Sequence, residues 1–197
     1  MLFFSSFVNQ MPMVHPHTWT LSRTPPLLIG AMQACGALYL KTRVANAFIT
    51  STLAQARDPL VAQFVRAGGF IVGIPLSPPY LQAKETATLS DRIYTILAVT
   101  LLQTLGLFHQ HSEQRSTART YHSMLVSVSL PLAPRLDYVN TSLQMIRRSG
   151  IMSEIAAWRA PDIDNVTDAA LEEAWRDWAV IEMGKRCVDC CCNLKPF

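Results

Sequence analysis

The sequence predicts an all-α fold, an irregular multi-helix bundle of about six or seven helices with two proline-rich, non-helical inserts. Apolar residues recur at helical spacing between capping and breaking residues, and no run of alternating apolar and polar residues predicts a strand. Apolar residues make up 50% of the 197 residues and charged ones only 16%, whereas ordinary domains carry about 25% charged residues. We therefore expect a large core under a thin charged surface.

The charge and the cysteines narrow the functional classes. The net charge is +3, which is too mild to predict a nucleic-acid surface, since such a surface needs Lys and Arg clustered on one face. Four of the five cysteines lie within residues 187–192, so they cannot join distant parts of the fold. A reducing compartment is therefore expected.

The chain begins with an apolar lead-in, Met1–Thr20, which Pro12 and Pro16 interrupt. We expect it to be extended or to form short helical turns. Thr24 and the two prolines after it predict a capped helix start, followed by a helix over Leu27–Lys41.

This first helix carries a face of small residues, Gly30, Ala34 and Ala37, which would let another helix approach closely. Gly36 costs about 1 kcal/mol of helix propensity. We expect close packing to be the reason for a glycine there.

The next predicted helices are Arg43–Ala56, which ends before a proline at position 59, and the short Leu60–Ala67. A core helix, Asp91–Phe108, is predicted to be capped by Ser90.

The second half of the chain gives weaker signals. Gln110–Ala118 is a polar linker or a helical continuation, and Tyr121–Ser127 has a helical pattern. Met145–Ser149 leads to a plausible helix end at Gly150. Residues 158–165 are predicted to form a loop.

The last predicted helix, Asp168–Arg186, is capped by Thr167 and has the most informative pattern. Six of its residues fall within about a third of the helix circumference. We expect Glu182 to be held by a basic partner such as Arg186; the alternative is that these charges begin a solvated helix end. The six residues are Leu171, Trp175, Trp178, Glu182, Lys185 and Arg186.

The spacing of the histidines and cysteines does not predict a metal-binding or catalytic site. The pairs His15/His17 and His109/His111 lack the third and fourth ligands of a zinc site, and the C-x-x-C of residues 187–190 lacks a second ligand pair. No catalytic, cofactor or metal site is predicted, and the chain is not expected to be an enzyme.

A membrane-associated helical protein is the alternative function, built around Ile93–Phe108 and Leu27–Leu40. Ile93–Phe108 is shorter than the roughly 20 residues that a membrane span needs, and it contains polar residues. We therefore predict a buried core helix and no membrane partner.

Several segments carry a family likeness when they are taken in order. They are FFSSFVNQMPMVHPHTW (3–19), PPLLIGAMQACGALYLKTR (25–43), DRIYTILAVTLLQTLGLFHQ (91–110), MIRRSGIM (145–152) and LEEAWRDWAVIEMGKR (171–186). With them the chain resembles the regulatory domain of fungal-specific transcription factors, the xylanolytic-activator type of middle region, in particular factors that carry two-Cys, two-His zinc fingers. The residues that carry this signature are His15, Thr18, Trp19, Gly30, Gly36, Trp175, Trp178, Glu182, Lys185 and Arg186.

The resemblance implies an all-helical domain that regulates RNA polymerase II transcription in the nucleus. Its implied partners are other segments of a transcription factor or co-regulator proteins. DNA contact and zinc are implied for a finger region outside this chain, and no cofactor is expected in the chain itself.

The chain departs from the family pattern in three places. Residues 1–186 are predicted to be a partial regulatory domain with inserts at 70–81 and 126–144, and 187–197 to be a truncated Cys-rich tail. Our hypothesis is that both inserts are translated introns, because proline breaks them and they fit neither neighbouring helix. Transcript sequencing across both segments tests this.

Overall fold

The computed structural model describes residues 2–66, 88–126, 151–159 and 167–193. These residues form helices and contain no strand, which confirms the predicted all-α class. A π-helical segment, Phe3–Phe7, and a 3₁₀ turn, Leu21–Arg23, precede the first α-helix. The α-helices are α1 (Pro26–Ala37), α2 (Arg43–Arg66), α3 (Leu89–Leu107), α4 (Ser112–Val126), α5 (Ile151–Ala157) and α6 (Asp168–Asn193).

Both predicted inserts and the predicted helical segment Met145–Ser149 lie outside the described residues, apart from Val126, which ends α4. Of the predicted loop 158–165, Trp158 and Arg159 are described and are not helical.

Helix α3 is the centre of the domain and packs against each of the other five α-helices. Its apolar side chains, among them Leu97, Leu101 and Leu102, are fully buried. The threonines that made this helix too polar for a membrane span donate to carbonyls one turn earlier, as Thr100 Oγ1 does to Ile96 O at 2.8 Å. A hydroxyl satisfied in this way can be buried at little cost.

No helix in the described parts of the chain combines the length and apolar character that crossing a bilayer requires.

The start of α3 differs from the prediction by two residues. Thr88, not Ser90, is the cap: its hydroxyl accepts from the Asp91 N–H at 3.2 Å, and the Asp91 carboxylate accepts from the Thr88 N–H at 3.1 Å. This reciprocal pair is a capping box, which satisfies two backbone donors at once.

Replacing Thr88 with alanine is expected to lower the free energy of unfolding by about 1 kcal/mol, because the backbone donor of Asp91 loses its acceptor. Urea denaturation followed by circular dichroism measures this. Ser90→Ala is the matched control and should stay within about 0.5 kcal/mol of the wild type. A larger loss for Ser90→Ala than for Thr88→Ala would contradict the observed cap.

The predicted break before Pro59 is wrong, because α2 continues through this proline to Arg66. Proline inside a helix costs about 3 kcal/mol. Ile49, Leu53, Ala56 and Leu60 nevertheless form one buried stripe across it. Burial along that continuous stripe outweighs the lost hydrogen bond.

Helix α1 begins where predicted but without the predicted cap. Thr24 Oγ1 donates to Thr20 O at 2.8 Å, and Pro25 occupies the cap position with no side-chain hydrogen bond. Pro26 starts the helix, since its missing N–H is not needed there. The helix ends at Ala37, four residues before the predicted Lys41.

The sequence allows either a polar linker or a helical continuation for Gln110–Ala118. In the structure Ser112–Val126 is a single helix, α4, so most of that segment is helical. It packs closely on α3 at Gly106, where a Cβ would lie 2.6 Å from the Ala118 Cβ. The glycine sets the distance between the two helices.

Helix α6 extends seven residues past the predicted end at Arg186. Its buried face carries Val180, Met183, Gly184 and Cys187, spaced one and two turns apart, and it packs against α3. The Cys187 thiol lies 3.4 Å from Thr100 Oγ1 in this contact. The assignment of 187–197 as a separate tail stays a prediction.

Candidate functional site

Two tryptophans of α6 form a stacked pair at the surface. The rings of Trp175 and Trp178 lie 4.7 Å apart at 19°. Trp175 is 49% exposed, whereas Trp178 is partly buried. The face that carries them is therefore not the face that α6 packs into the core.

His15, which lies in the lead-in, packs against this tryptophan pair. Its ring meets Trp175 edge-on at 6.0 Å and Trp178 at 6.4 Å. His15 Nδ1 and Thr18 Oγ1 share a hydrogen bond of 3.1 Å, which fixes the ring orientation. Sequence spacing placed the tryptophans together but gave no sign that the lead-in would contact them.

Charged residues make a second connection between the lead-in and α6. Glu182 pairs with Arg186 at 3.2 Å and with Lys185 at 3.6 Å. Arg186 Nη1 also donates to the Pro12 carbonyl at 3.2 Å. All three side chains are partly exposed, so each pair contributes about 0–1 kcal/mol. Both ion pairs lie within α6, and only the Arg186 hydrogen bond to Pro12 joins the helix to the lead-in.

Trp19 lies on the other side of the lead-in. Its ring packs against Phe4 at 5.1 Å, and its indole N–H is buried with no acceptor among the described residues. It borders a cavity of about 140 Å³ that Arg23, Asp91 and Tyr94 also line. Burial raises the pKa of the Tyr94 hydroxyl; Arg23 opposes this shift, and Asp91 and Asp177 add to it.

This cavity is below the roughly 300–1,000 Å³ of ordinary ligand pockets. The sequence did not single out Arg23, Asp91 or Tyr94, because they come from separate segments. Only the packing of the 3₁₀ turn against α3 and α6 brings them to one cavity.

The two signature glycines lie away from the tryptophans, on α1. A Cβ on Gly36 would lie 2.9 Å from the Phe3 backbone nitrogen, so the lead-in packs where only a glycine fits. A Cβ on Gly30 would meet Thr52 Cγ2 of α2 at an ordinary 3.8 Å. Close packing therefore requires a glycine at position 36, whereas no close contact requires one at position 30.

The second histidine pair has a structural role at the start of α4. His109 Nδ1 accepts from the His111 N–H at 3.2 Å, and His109 Nε2 lies 3.2 Å from Thr50 Oγ1. Both ring nitrogens of His109 are thus engaged. Burial, and then His111 and Arg115, lower the pKa of this imidazole.

No group of three or more potential metal ligands comes together within the described ranges. Cys35 is fully buried in α1, and burial raises the pKa of its thiol far above the ordinary value. Cys35 is therefore a small core side chain in this fold.

Replacing Trp178 with alanine is expected to lower the free energy of unfolding by about 1–2 kcal/mol, less than for a fully buried tryptophan, because its ring is only partly buried. Chemical denaturation measures this. Trp175→Ala is the control and should cost less, since its ring is more exposed. An unchanged stability for Trp178→Ala would contradict a role for the pair in holding the lead-in.

Comparison with known proteins gives one finding. A family model, the fungal specific transcription factor domain, matches residues 1–191. Searches of the curated proteins and of the solved structures each gave no significant match. Because the family match covers nearly the whole chain, the chain belongs to the fungal-specific transcription factor domain family.

Proposed function

We propose that this chain is the regulatory, non-DNA-contacting domain of a fungal transcription factor, and that it controls RNA polymerase II transcription by packing its helices against other protein segments. The observation that carries the proposal is the family match across residues 1–191. The partners would be other segments of the factor or co-regulator proteins. No reaction is assigned to the chain.

The proposal places the protein in the nucleus. DNA contact and zinc would belong to a DNA-binding region outside this chain.

The contact between the lead-in and α6 supports regulation by exchange of segments. Residues 12–15 meet residues 175–186 through ring edges and partly exposed charges. Each of these exposed contacts contributes only about 0–1 kcal/mol, so another segment can compete for the Pro12 and His15 contacts while Met13 and Val14 stay buried in the core. Exchange at this place would mask or release other surfaces of the factor.

A reporter assay tests the function. The chain is inserted between an unrelated DNA-binding domain and an activation segment, and transcription from a promoter with the matching sites is measured. We expect the wild-type chain to change reporter output relative to the Leu97→Asp variant, in which a charge replaces a fully buried side chain and the domain unfolds.

The Leu97→Asp fusion has the same length as the wild type, so spacing effects cancel. Protein levels are matched by immunoblot. Equal output from the folded and unfolded inserts would contradict a regulatory role. Microscopy of the tagged protein tests the nuclear location separately.

A further inference from the structure

An open apolar groove lies where the lead-in, the end of α1 and the start of α2 meet. Its volume is about 440 Å³, within the roughly 300–1,000 Å³ of ordinary ligand pockets. The lining comes from these three segments and not from the later helices that the structure describes. Its main apolar residues are Leu2, Met32, Leu40, Val44 and Phe48.

Several exposed apolar side chains lie together in this groove. Among the described residues, ten large hydrophobic side chains are exposed, and four of them, Leu2, Leu40, Val44 and Phe48, line this groove. Val44 is 79% exposed. Single exposed apolar residues are normal, but a cluster of them marks an interaction surface.

The charged residues of the three segments that line the groove are all basic. The first acidic residue of the chain is Asp58, so the lead-in, α1 and the start of α2 contain none. Lys41, in the turn after α1, and Arg43, the first residue of α2, are both exposed and adjoin Leu40 and Val44 in the sequence. The groove therefore fits an apolar helix face that carries acidic neighbours.

The first turns of α6 have this chemistry. Every residue from Thr167 to Glu173 is exposed, so a length of about 9 Å at the start of the helix, at 1.5 Å per residue, is accessible. Leu171 and Trp175, one turn apart, are 40% and 49% exposed. The acidic residues on the same side of the helix are Asp168 and Glu172, of which Glu172 also pairs with Arg176 one turn later.

Both surfaces are open in the same molecule, so the groove of one chain can be filled by α6 of another. We propose that the groove binds the first turns of α6 from a second copy of this chain, with Leu171 and Trp175 as anchors. In a two-fold dimer the contact occurs twice. This inference goes beyond the proposed function and does not depend on it.

Two features favour this contact. Stacking on Trp178 already holds the Trp175 ring in place, so little side-chain entropy is lost when it docks. Helix-in-groove recognition uses such anchors one turn apart. Acidic residues at the rim of the contact then meet Lys41 and Arg43.

Sedimentation velocity of the full chain tests the proposal. We expect a concentration-dependent dimer at low salt that shifts toward monomer at high salt, because salt screens exposed charge pairs. A chain that stays monomeric at low salt at all concentrations would overturn the proposal. Self-association that salt does not weaken would also overturn it.

Charge reversal identifies the surfaces. A groove variant, Lys41→Glu with Arg43→Glu, and a helix variant, Asp168→Lys with Glu172→Lys, should each dimerise about tenfold or more weakly, since like charges then face each other. Mixing the two variants should restore dimers, because each groove again meets a helix of opposite charge. Failure of the mixture to associate, with both variants folded by circular dichroism, would overturn the proposal.

Two substitutions of exposed apolar residues, one in the groove and one outside it, give a matched comparison. Val44→Asp should reduce dimerisation by about tenfold or more, because it places a carboxylate in the groove facing acidic residues. Phe108→Asp changes a side chain of similar exposure, 75%, that does not line the groove. Equal effects of the two substitutions would overturn the assigned surface.

Discussion

Replacing Leu101 with alanine is expected to lower the free energy of unfolding by about 2–5 kcal/mol. The side chain is fully buried in α3, the helix that packs against every other α-helix described. Truncation loses apolar burial and leaves a cavity that five packed helices cannot easily close. Because domains are stable by only about 5–15 kcal/mol, this one change should remove a large part of the total.

Urea denaturation followed by circular dichroism measures the loss. Leu21→Ala is the matched control, since that leucine is exposed in the 3₁₀ turn, and it should stay within about 0.5 kcal/mol of the wild type. Similar losses for both leucines would mean that α3 is not the centre of the core.

Replacing Gly106 with alanine is expected to destabilise the domain by about 1–3 kcal/mol, through overpacking between α3 and α4. The new Cβ would lie 2.6 Å from the Ala118 Cβ and 3.2 Å from the Gln114 carbonyl oxygen. Neither group can rotate away, because one is fixed to the backbone and the other belongs to it. The two helices would have to separate.

Gly30→Ala tests the same substitution in an open place. There the nearest group is Thr52 Cγ2 at 3.8 Å, so helix propensity decides and a gain of up to about 1 kcal/mol is expected. The two variants should therefore shift the melting temperature in opposite directions. A stabilising Gly106→Ala would show that α3 and α4 are not in close contact.

The helix boundaries show where sequence patterns lose information. Pro59 predicted a break, but the buried stripe of α2 crosses it. Ser90 and Thr88 are both good caps, but only Thr88 has an acidic partner three residues later, and this capping-box pattern with Asp91 is a local signal that the prediction missed. A tertiary contact decided the first boundary, whereas a local hydrogen-bond pair decided the second.

The candidate site was predictable in part. Helical spacing put Trp175, Trp178 and Glu182 on one side of α6 and named Arg186 as a partner of Glu182. It did not show that the lead-in, more than 150 residues earlier, would supply His15 and the Pro12 carbonyl. No local pattern contains a contact between such distant segments.

The sequence by itself determined the all-α class and the position of most helices, because apolar spacing and propensity act over a few residues. The family followed from the resemblance of its segments, which the family match over residues 1–191 bears out. Tertiary structure decided which face of α6 is buried: Val180, Met183 and Cys187 face the core, and the tryptophans face the lead-in. Both faces of α6 carry large apolar side chains. The buried face also carries Gly184, where a Cβ would lie 3.0 Å from Ile93 Cδ1 of α3, so this face and not the tryptophan face packs closely on α3.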